Sequence, residues 1–589
     1  MRFRAFSILV LGVLCAVMVA QTSSMRRATS ITFDETFYLS CALHTISSGR
    51  LDPRLAAQGA APLAVLAAYV PPLLHTGGER RLTPWMGLPQ DARLIAGPRL
   101  WNSLLFGVSL VVVVFVWLYR RHGLPAAALG AGLLALSPSI VAHSSVATLD
   151  AALTLFSTVA LLVLTSYLRR PSRLGLVTLA VTIGAAMSAK YSGVYLLAVA
   201  GLAFVMIRAG GDRITPPRPD ADAGGFNRHL RRAATSWLML AVLACVAWWG
   251  FHLFAFSGPL KSLPLDQTPD SSPWVRVFGR GPVGQWVMQT AHERIQMPAP
   301  VAGLDFQQES SRRGYSAYFM GETSRSGWRL YYPAAFVFKS TPAELALTLC
   351  LIAAAAWSVP RLRTNWRRLD SAVQVWIIAV AIYSLLMLTT RINAGHRYLL
   401  PLYPLLALLG ANRMAAWLPG RHTVQLGVAA ALLGVQAVSS GGIGPHYLAY
   451  FNRLSGGPEQ GWRLLSDSNI DWGQDLPALR DFLAARGNER AALGYFGTAD
   501  PAGYGIVADP VDALDRDLGT YTWLAVSVTV LHGQKRQGLD PFRELRSIPP
   551  QARAGYSIFV YDLRNPVVRE AFETAVARLR SSDGRAARR

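Results

Sequence analysis

The sequence predicts a polytopic α-helical membrane protein of about eleven transmembrane helices with a small C-terminal extracytoplasmic α/β domain. Three observations carry this expectation. Of 589 residues, 52% are hydrophobic and only 15% charged, and mean hydropathy is +0.29; a soluble domain carries about 25% charged residues. The apolar residues gather into runs close to the roughly 20 that cross a hydrocarbon core of about 30 Å. The 57 Lys+Arg outnumber the 34 Asp+Glu, for a net charge of +23, and most Arg lies in short clusters between those runs. That is the positive-inside pattern of membrane topology, so nucleic acid is set aside as a partner and the membrane is retained.

The candidate spans are about 5–21, 98–118, 124–142, 150–168, 173–189, 192–208, 234–255, 336–358, 371–390, 398–412 and 424–440. The first follows Met1-Arg2-Phe3-Arg4 and could be a signal peptide; Met18-Val19-Ala20 is a poor small-x-small cleavage site, which favours an uncleaved helix. With a cytoplasmic N-terminus, the inside loops hold Arg120-Arg121, Arg169-Arg170 with Arg173, the Arg-rich 208–232, the segment RLRTNWRR at 361–368, and Arg413 with Arg421. These clusters then fall on one side, and an odd number of crossings leaves the C-terminus outside. The domains follow: 1–440 as the multi-spanning unit with outer loops 22–97 and 256–335, 441–580 as the extracytoplasmic unit, and 581–589 as a disordered tail. Within 441–580, strand-like runs at 492–497, 523–531 and 556–562 alternate with helical patterns at 476–486 and 566–580, hence the α/β expectation. The expected location is the cytoplasmic (inner) membrane. Cys15, Cys41, Cys245 and Cys350 form no CxxC pair and indicate neither a disulfide framework nor a zinc site.

Ionisable residues at membrane depth are costly and mark function. They gather here at the outer ends of the spans. FDETFY at 33–38 sets Asp34 and Glu35 just beyond the first helix. Neighbours on a helix point about 100° apart, so the two carboxylates have different jobs; an N-cap is the plain alternative for Asp34. His143 and Asp150 flank an outer turn, where Asp150 could simply cap the next helix. Lys190, one of four lysines, stands between two apolar runs, where interfacial snorkelling competes with a phosphate contact. Arg391, His396 and Arg397 form a basic group on the outer side, against the topological bias, which points to an anion site. In LLSDSNIDWGQDL, Asp467-x-Asn469-x-Asp471 hints at a calcium loop, but Trp472 stands at the turn glycine and Ala478 at the closing glutamate. That segment reads as a turn leading into a helix.

Carboxylates and cations at the outer membrane surface suit a lipid-linked phosphate donor. Its phosphate takes Arg or Lys, and as the leaving group it needs cations more than a general acid. The acceptor hydroxyl needs a carboxylate to orient it and take its proton. The logic is that of inverting glycoside hydrolysis, with phosphate in place of the protonated oxygen.

FDETFY, SPSIVAHSSVATLD, SAKYSG and RYLLPLYP resemble motifs of the integral-membrane glycosyltransferases that use polyprenyl-phosphate sugars, among them the protein O-mannosyltransferases and the lipid A aminoarabinose transferase. The 447–476 stretch is similar to bacterial members with an added C-terminal domain. The resemblance covers 1–476 in layout. It implies Asp34 as catalytic carboxylate, Glu35 beside it as acceptor or metal contact, and Asp150 as a supporting carboxylate. Lys190, Arg391, His396 and Arg397 become donor-phosphate candidates, with His143 in support. It implies a polyprenyl-phosphate sugar as donor, an envelope protein, lipid or glycan as acceptor, and leaves a divalent metal open. Counterparts of the repeats that eukaryotic protein mannosyltransferases carry are missing. The alternative is a secondary transporter or flippase of a lipid-linked or anionic substrate, which would carry internal pseudo-symmetry and charges at the midplane.

Overall fold

A computed structural model describes residues 2–586 except 75–91, 209–222, 262–263, 269, 271, 359–365, 367, 515–516 and 535–538. Of the expected inner-side basic segments, 209–222 and most of 361–368 lie outside the described residues. The described chain is mostly helical, with a five-stranded sheet near its C-terminal end.

Six helices are long and apolar enough to cross a membrane: Ala5–Ala28, Ala96–His122, Leu149–Arg169, Leu230–Phe251, Ser371–Thr389 and His422–Gly441. A seventh span results if the bent pair Leu124–Ala135 and Pro138–Ser145 counts as one. Among the described residues six to seven spans reach this length, against the eleven expected. Helices form at the other positions, but Arg173–Ala189, Tyr191–Ile207 and Pro342–Ser358 have at most 17 residues and Leu402–Trp417 has 16. At 1.5 Å per residue, 17 residues reach about 26 Å, the lower limit of what crosses a hydrocarbon core. Local chemistry sets three of the boundaries. Lys190 adopts an extended conformation directly after Ala189, and Pro342 and Pro401 each set a helix start. One apolar helix, Pro62–Leu74, lies inside what the sequence offers as an outer loop.

The 57° bend between Leu124–Ala135 and Pro138–Ser145 follows from Pro138, which forces Ser137 out of the helical region. Carbonyls freed at the break must find donors away from water. Gln21 Nε2 donates to the Ala135 carbonyl at 2.8 Å, and Gln436 Nε2 to that of Leu133 at 3.2 Å. The break is thus supported by two other spans. It turns the short second helix so that His143 and the 146–148 connection lie beside the start of Leu149–Arg169. Close packing at Gly184 lets its helix meet Ala223–Phe251: a Cβ there would sit 2.8 Å from the Ala247 side chain.

The C-terminal sheet is mixed, in the order Ala508–Pro510, Ala491–Gly494, Trp523–Ser527, Ile558–Asp562, Ala552–Ala554. Ala491 pairs in parallel with both Ala508 and Trp523, while Trp523 runs antiparallel to Asp562. Two edge strands of three residues each are too short for an alternation to announce them. The run expected as one strand over 523–531 turns helical at Val528–Leu531. The tail expected to be disordered is instead helical to Ala586, within Pro566–Ala586; 587–589 lie outside the described residues.

Candidate active site at the helix mouths

Asp34 and Glu35 are separated by the capping of their own helix. Phe33–Ser48 starts at Thr32, with Glu35 at the third helical position closing a capping box. Glu35 reaches back to accept the Thr32 N–H at 2.8 Å and its hydroxyl at 2.9 Å. The same carboxylate accepts from Arg99 Nε at 2.8 Å, Arg99 Nη2 at 2.6 Å and the Ala147 N–H at 2.7 Å. Burial disfavours its charge, but Arg99 and these N–H groups outweigh that and hold the carboxyl below its usual range. Fully buried, with five donors on two oxygens, Glu35 is not presented to a substrate. Its expected role as acceptor or metal contact gives way to a structural one. It ties the turn before Phe33–Ser48 to the 146–148 connection, and Arg99, which sequence reasoning missed, is its partner.

Asp34 points the other way and keeps 24% of its side-chain surface. Arg397 Nη1 donates to Asp34 Oδ2 at 2.5 Å and lies 3.9 Å from Asp150 Oδ2. Lys190 Nζ donates to Asp150 Oδ1 at 2.6 Å. Four of the sequence-predicted residues, from four separate segments, thus form one alternating chain: Asp34, Arg397, Asp150, Lys190. Asp150 sits buried in the first turn of Leu149–Arg169, where a carboxylate favours the helix dipole, and it also holds both cations. Burial disfavours the Arg397 charge, but Asp34 and then Asp150 more than offset this and hold the guanidinium charged.

Aromatic faces complete the arrangement. Lys190 Nζ lies 3.7 Å from the centroid of the Tyr398 ring, and the Arg397 guanidinium 4.4 Å from that of Trp472. Such contacts hold a cation without neutralising it. Sequence reading gave neither ring a place in the site. Tyr398 follows Arg397 directly, but nothing local joins Trp472 to a residue 75 positions earlier.

The other candidates stand elsewhere. His396 is buried; its Nε2 pairs with the Tyr403 hydroxyl at 2.7 Å and its N–H donates to Asn469 Oδ1 at 2.8 Å. It packs into the helix core and does not join the chain. His143 is buried with its ring edge on Trp472, centroids 5.9 Å apart, one layer behind Arg397. Arg391 is exposed, and among the described residues no ion pair joins it to the chain. Among the described residues no group of three or more His, Cys, Asp or Glu could hold a metal ion.

Residues 95–208 match the sequence model of the family described as Dolichyl-phosphate-mannose-protein mannosyltransferase. The matched segment contains SPSIVAHSSVATLD and SAKYSG, hence Asp150 and Lys190. No curated protein matches this sequence. Three solved structures align at low likeness. ArnT from Cupriavidus metallidurans, in the apo state, is 14% identical, with TM-score 0.42 over 95% of this chain and 98% of that one. The S. cerevisiae protein O-mannosyltransferase Pmt1-Pmt2 complex bound to the sugar donor is 17% identical, with TM-score 0.30 over 55% and 40%. The Archaeoglobus fulgidus oligosaccharyltransferase tethered with an acceptor peptide is 10% identical, with TM-score 0.43 over 89% and 69%.

Proposed function

We propose that this protein is a membrane glycosyltransferase that moves a sugar from a polyprenyl-phosphate donor to a hydroxyl of an envelope protein, lipid or glycan, at the outer face of the cytoplasmic membrane. The observation that carries the reading is the alternating chain of Asp34, Arg397, Asp150 and Lys190 at the ends of the helices. Two cations held 3.9 Å and 2.6 Å from one buried carboxylate make a fixed positive pair for a phosphate. A second, partly exposed carboxylate stands beside them.

In this reading the donor phosphate rests on Arg397 and Lys190, its prenyl chain between helices and its sugar toward Asp34. Asp34 accepts the proton of the acceptor hydroxyl as that oxygen bonds to the anomeric carbon. The bond from that carbon to the phosphate oxygen breaks on the opposite face, so the configuration inverts. Arg397 and Lys190 stabilise the charge growing on the leaving phosphate. Asp150 touches no reacting atom; it sets the cations apart at the right spacing. The C-terminal unit lies on the extracytoplasmic side with the site. No step is assigned to a metal.

The test is mass spectrometry of envelope glycans, lipids and proteins from cells carrying the wild-type gene or Asp34→Asn. A sugar modification present in the first and lost in the second is expected. Identical envelopes, with a lipid-linked or anionic substrate crossing the membrane only in the wild type, would establish the transporter reading instead.

A further inference from the structure

Residues 466–475 touch three parts of the molecule at once. Toward the Asp34 segment, the Phe33 N–H donates to the Trp472 carbonyl at 3.0 Å and the Ser30 N–H to that of Gln474 at 2.8 Å. The Ser30 hydroxyl donates to the Gly473 carbonyl at 2.8 Å. Toward the Arg397 segment, Asn469 Oδ1 accepts the His396 N–H at 2.8 Å, and the Ser468 hydroxyl donates to the Ala394 carbonyl at 2.6 Å. Gly395 between them has φ +120, and a Cβ there would fall 2.2 Å from Ser468 Oγ, so only glycine permits this approach. Toward the sheet, Asp471 Oδ2 accepts the Thr529 N–H at 2.7 Å, and the Asp467 N–H donates to Thr529 Oγ1 at 3.1 Å. Asp475 Oδ2 accepts the N–H groups of Tyr556 and Ser557, both at 3.0 Å.

The segment is also held hard. Asp467 has φ +55, a left-handed conformation that a side-chain-bearing residue keeps only where its surroundings over-determine it. Asn469, Asp471 and Trp472 are all at most 1% exposed. Lys339, buried, donates to the carbonyls of Leu448 and Asn469.

We propose that residues 466–475 are a positioning clamp that fixes the Asp34-to-Arg397 spacing, with Asn469 and Trp472 as its positioning residues, and that the C-terminal sheet holds the clamp through Asp467, Asp471 and Asp475. One rigid segment hydrogen-bonded to both walls of a site sets their separation in a way that two independent loops do not. Trp472 adds a face under the Arg397 guanidinium, which orients its fork toward Asp34. The C-terminal unit is then part of the site's geometry and not an appendage. The binding arm of the test rests on the proposed phosphate role of Arg397; the exchange arm does not.

The experiment uses the full-length protein in detergent, as wild type, Asn469→Ala, Trp472→Leu and Thr529→Val. Hydrogen exchange is followed by mass spectrometry over 29–34 and 394–398, together with equilibrium binding of undecaprenyl phosphate. Asn469→Ala removes the bond to the His396 N–H together with the Nδ2 bonds to the Tyr331 hydroxyl at 3.0 Å and the Ser466 carbonyl at 2.7 Å; none of these touches 29–34, yet a clamp speeds exchange there as well. Thr529→Val removes one hydroxyl in the sheet unit at nearly constant volume, and it should speed both segments from a distance. Should Asn469→Ala fail to fold, Thr529→Val decides alone. Trp472→Leu should weaken undecaprenyl phosphate binding roughly two- to thirty-fold, the range of a cation–π contact. Faster exchange confined to 394–398 in Asn469→Ala, or none in either segment in Thr529→Val, overturns the clamp. Binding in Trp472→Leu equal to wild type overturns the platform role of Trp472. A wild type that fails to bind undecaprenyl phosphate counts against the proposed function and leaves the exchange result to judge the clamp.

Discussion

Asp34 and Glu35 are adjacent in sequence and belong to opposite kinds of ion pair. Glu35 with Arg99 is closed: 0% and 1% of their side-chain surfaces are exposed, and both carboxylate oxygens are filled by guanidinium, hydroxyl and backbone donors. Asp34 with Arg397 is open: 24% and 11% exposed, with one guanidinium contact on the carboxylate and a cation shared between two acids. A closed pair has spent its hydrogen-bonding capacity on the fold; an open one has capacity left for a substrate. In the proposed function, that difference separates an anchor from a reagent where residue type does not.

That contrast can be broken most sharply at Asp34. Asp34→Asn keeps the shape and removes the base, and loss of a general base typically costs about 10²- to 10⁴-fold. Single-turnover sugar transfer should collapse while thermal stability and donor-lipid binding persist; wild-type turnover would remove Asp34 from the chemistry. On the closed side, Arg99→Ala leaves a buried carboxylate without its counter-ion, which costs on the order of 3–5 kcal/mol. A large fall in unfolding midpoint and yield is expected, with little change in rate per folded molecule. The reverse result, full stability with lost turnover, would return Glu35 to a chemical role.

The clamp gives a pH-dependent form of the same distinction. Burial pushes the Asp471 carboxyl up to about 7, although N–H and hydroxyl donors from Thr529, Ser527 and Gly473 pull it back. Its neutral form therefore belongs to the folded state. The unfolded chain ionises near the ordinary aspartate value, so Asp471 contributes full stability below about pH 4. That contribution is lost as pH rises toward about 7, at up to about 1.4 kcal/mol per unit. Asp471→Asn should flatten this slope in unfolding measurements across pH 4 to 7; an unchanged slope would assign the dependence to other groups.

Arg397 sharpens the open side. Charge-assisted hydrogen bonds contribute about 1.5–3 kcal/mol, so Arg397→Ala should cost roughly 10- to 150-fold in donor handling, in kcat as well as KM. Arg397→Lys, a point charge without the planar fork, should keep part of the activity. Equal donor affinity and single-turnover rate in purified Arg397→Ala would take Arg397 out of the site. The smallest effect is expected at Arg391, which is exposed. Arg391→Ala should change the same two measurements less than about threefold, as an exposed substitution within roughly 0.5 kcal/mol does. A loss like that of Arg397→Ala would mean that the anion site extends to the rim.

By itself the sequence determined that the chain is apolar, helical and membrane-bound, because hydrophobic run length and Arg placement are local and additive. It also put Asp34, Asp150, Lys190 and Arg397 on the page, because an ionisable residue at a helix mouth stands out against apolar neighbours. It did not determine where every helix breaks, since Ser137 and Pro401 interrupt apolar runs that hydropathy reads as continuous. Nor did it sort the candidates. Glu35 and His396 look as reactive as Asp34 and Arg397 until their partners are seen, and those partners, Arg99 and Tyr403, are chosen by packing. Trp472 beneath Arg397 and the segment that carries it were legible only as a failed calcium loop. Which carboxylate is free and which cation is shared depends on donors brought from distant segments, and long-range proximity is what the tertiary structure alone decides.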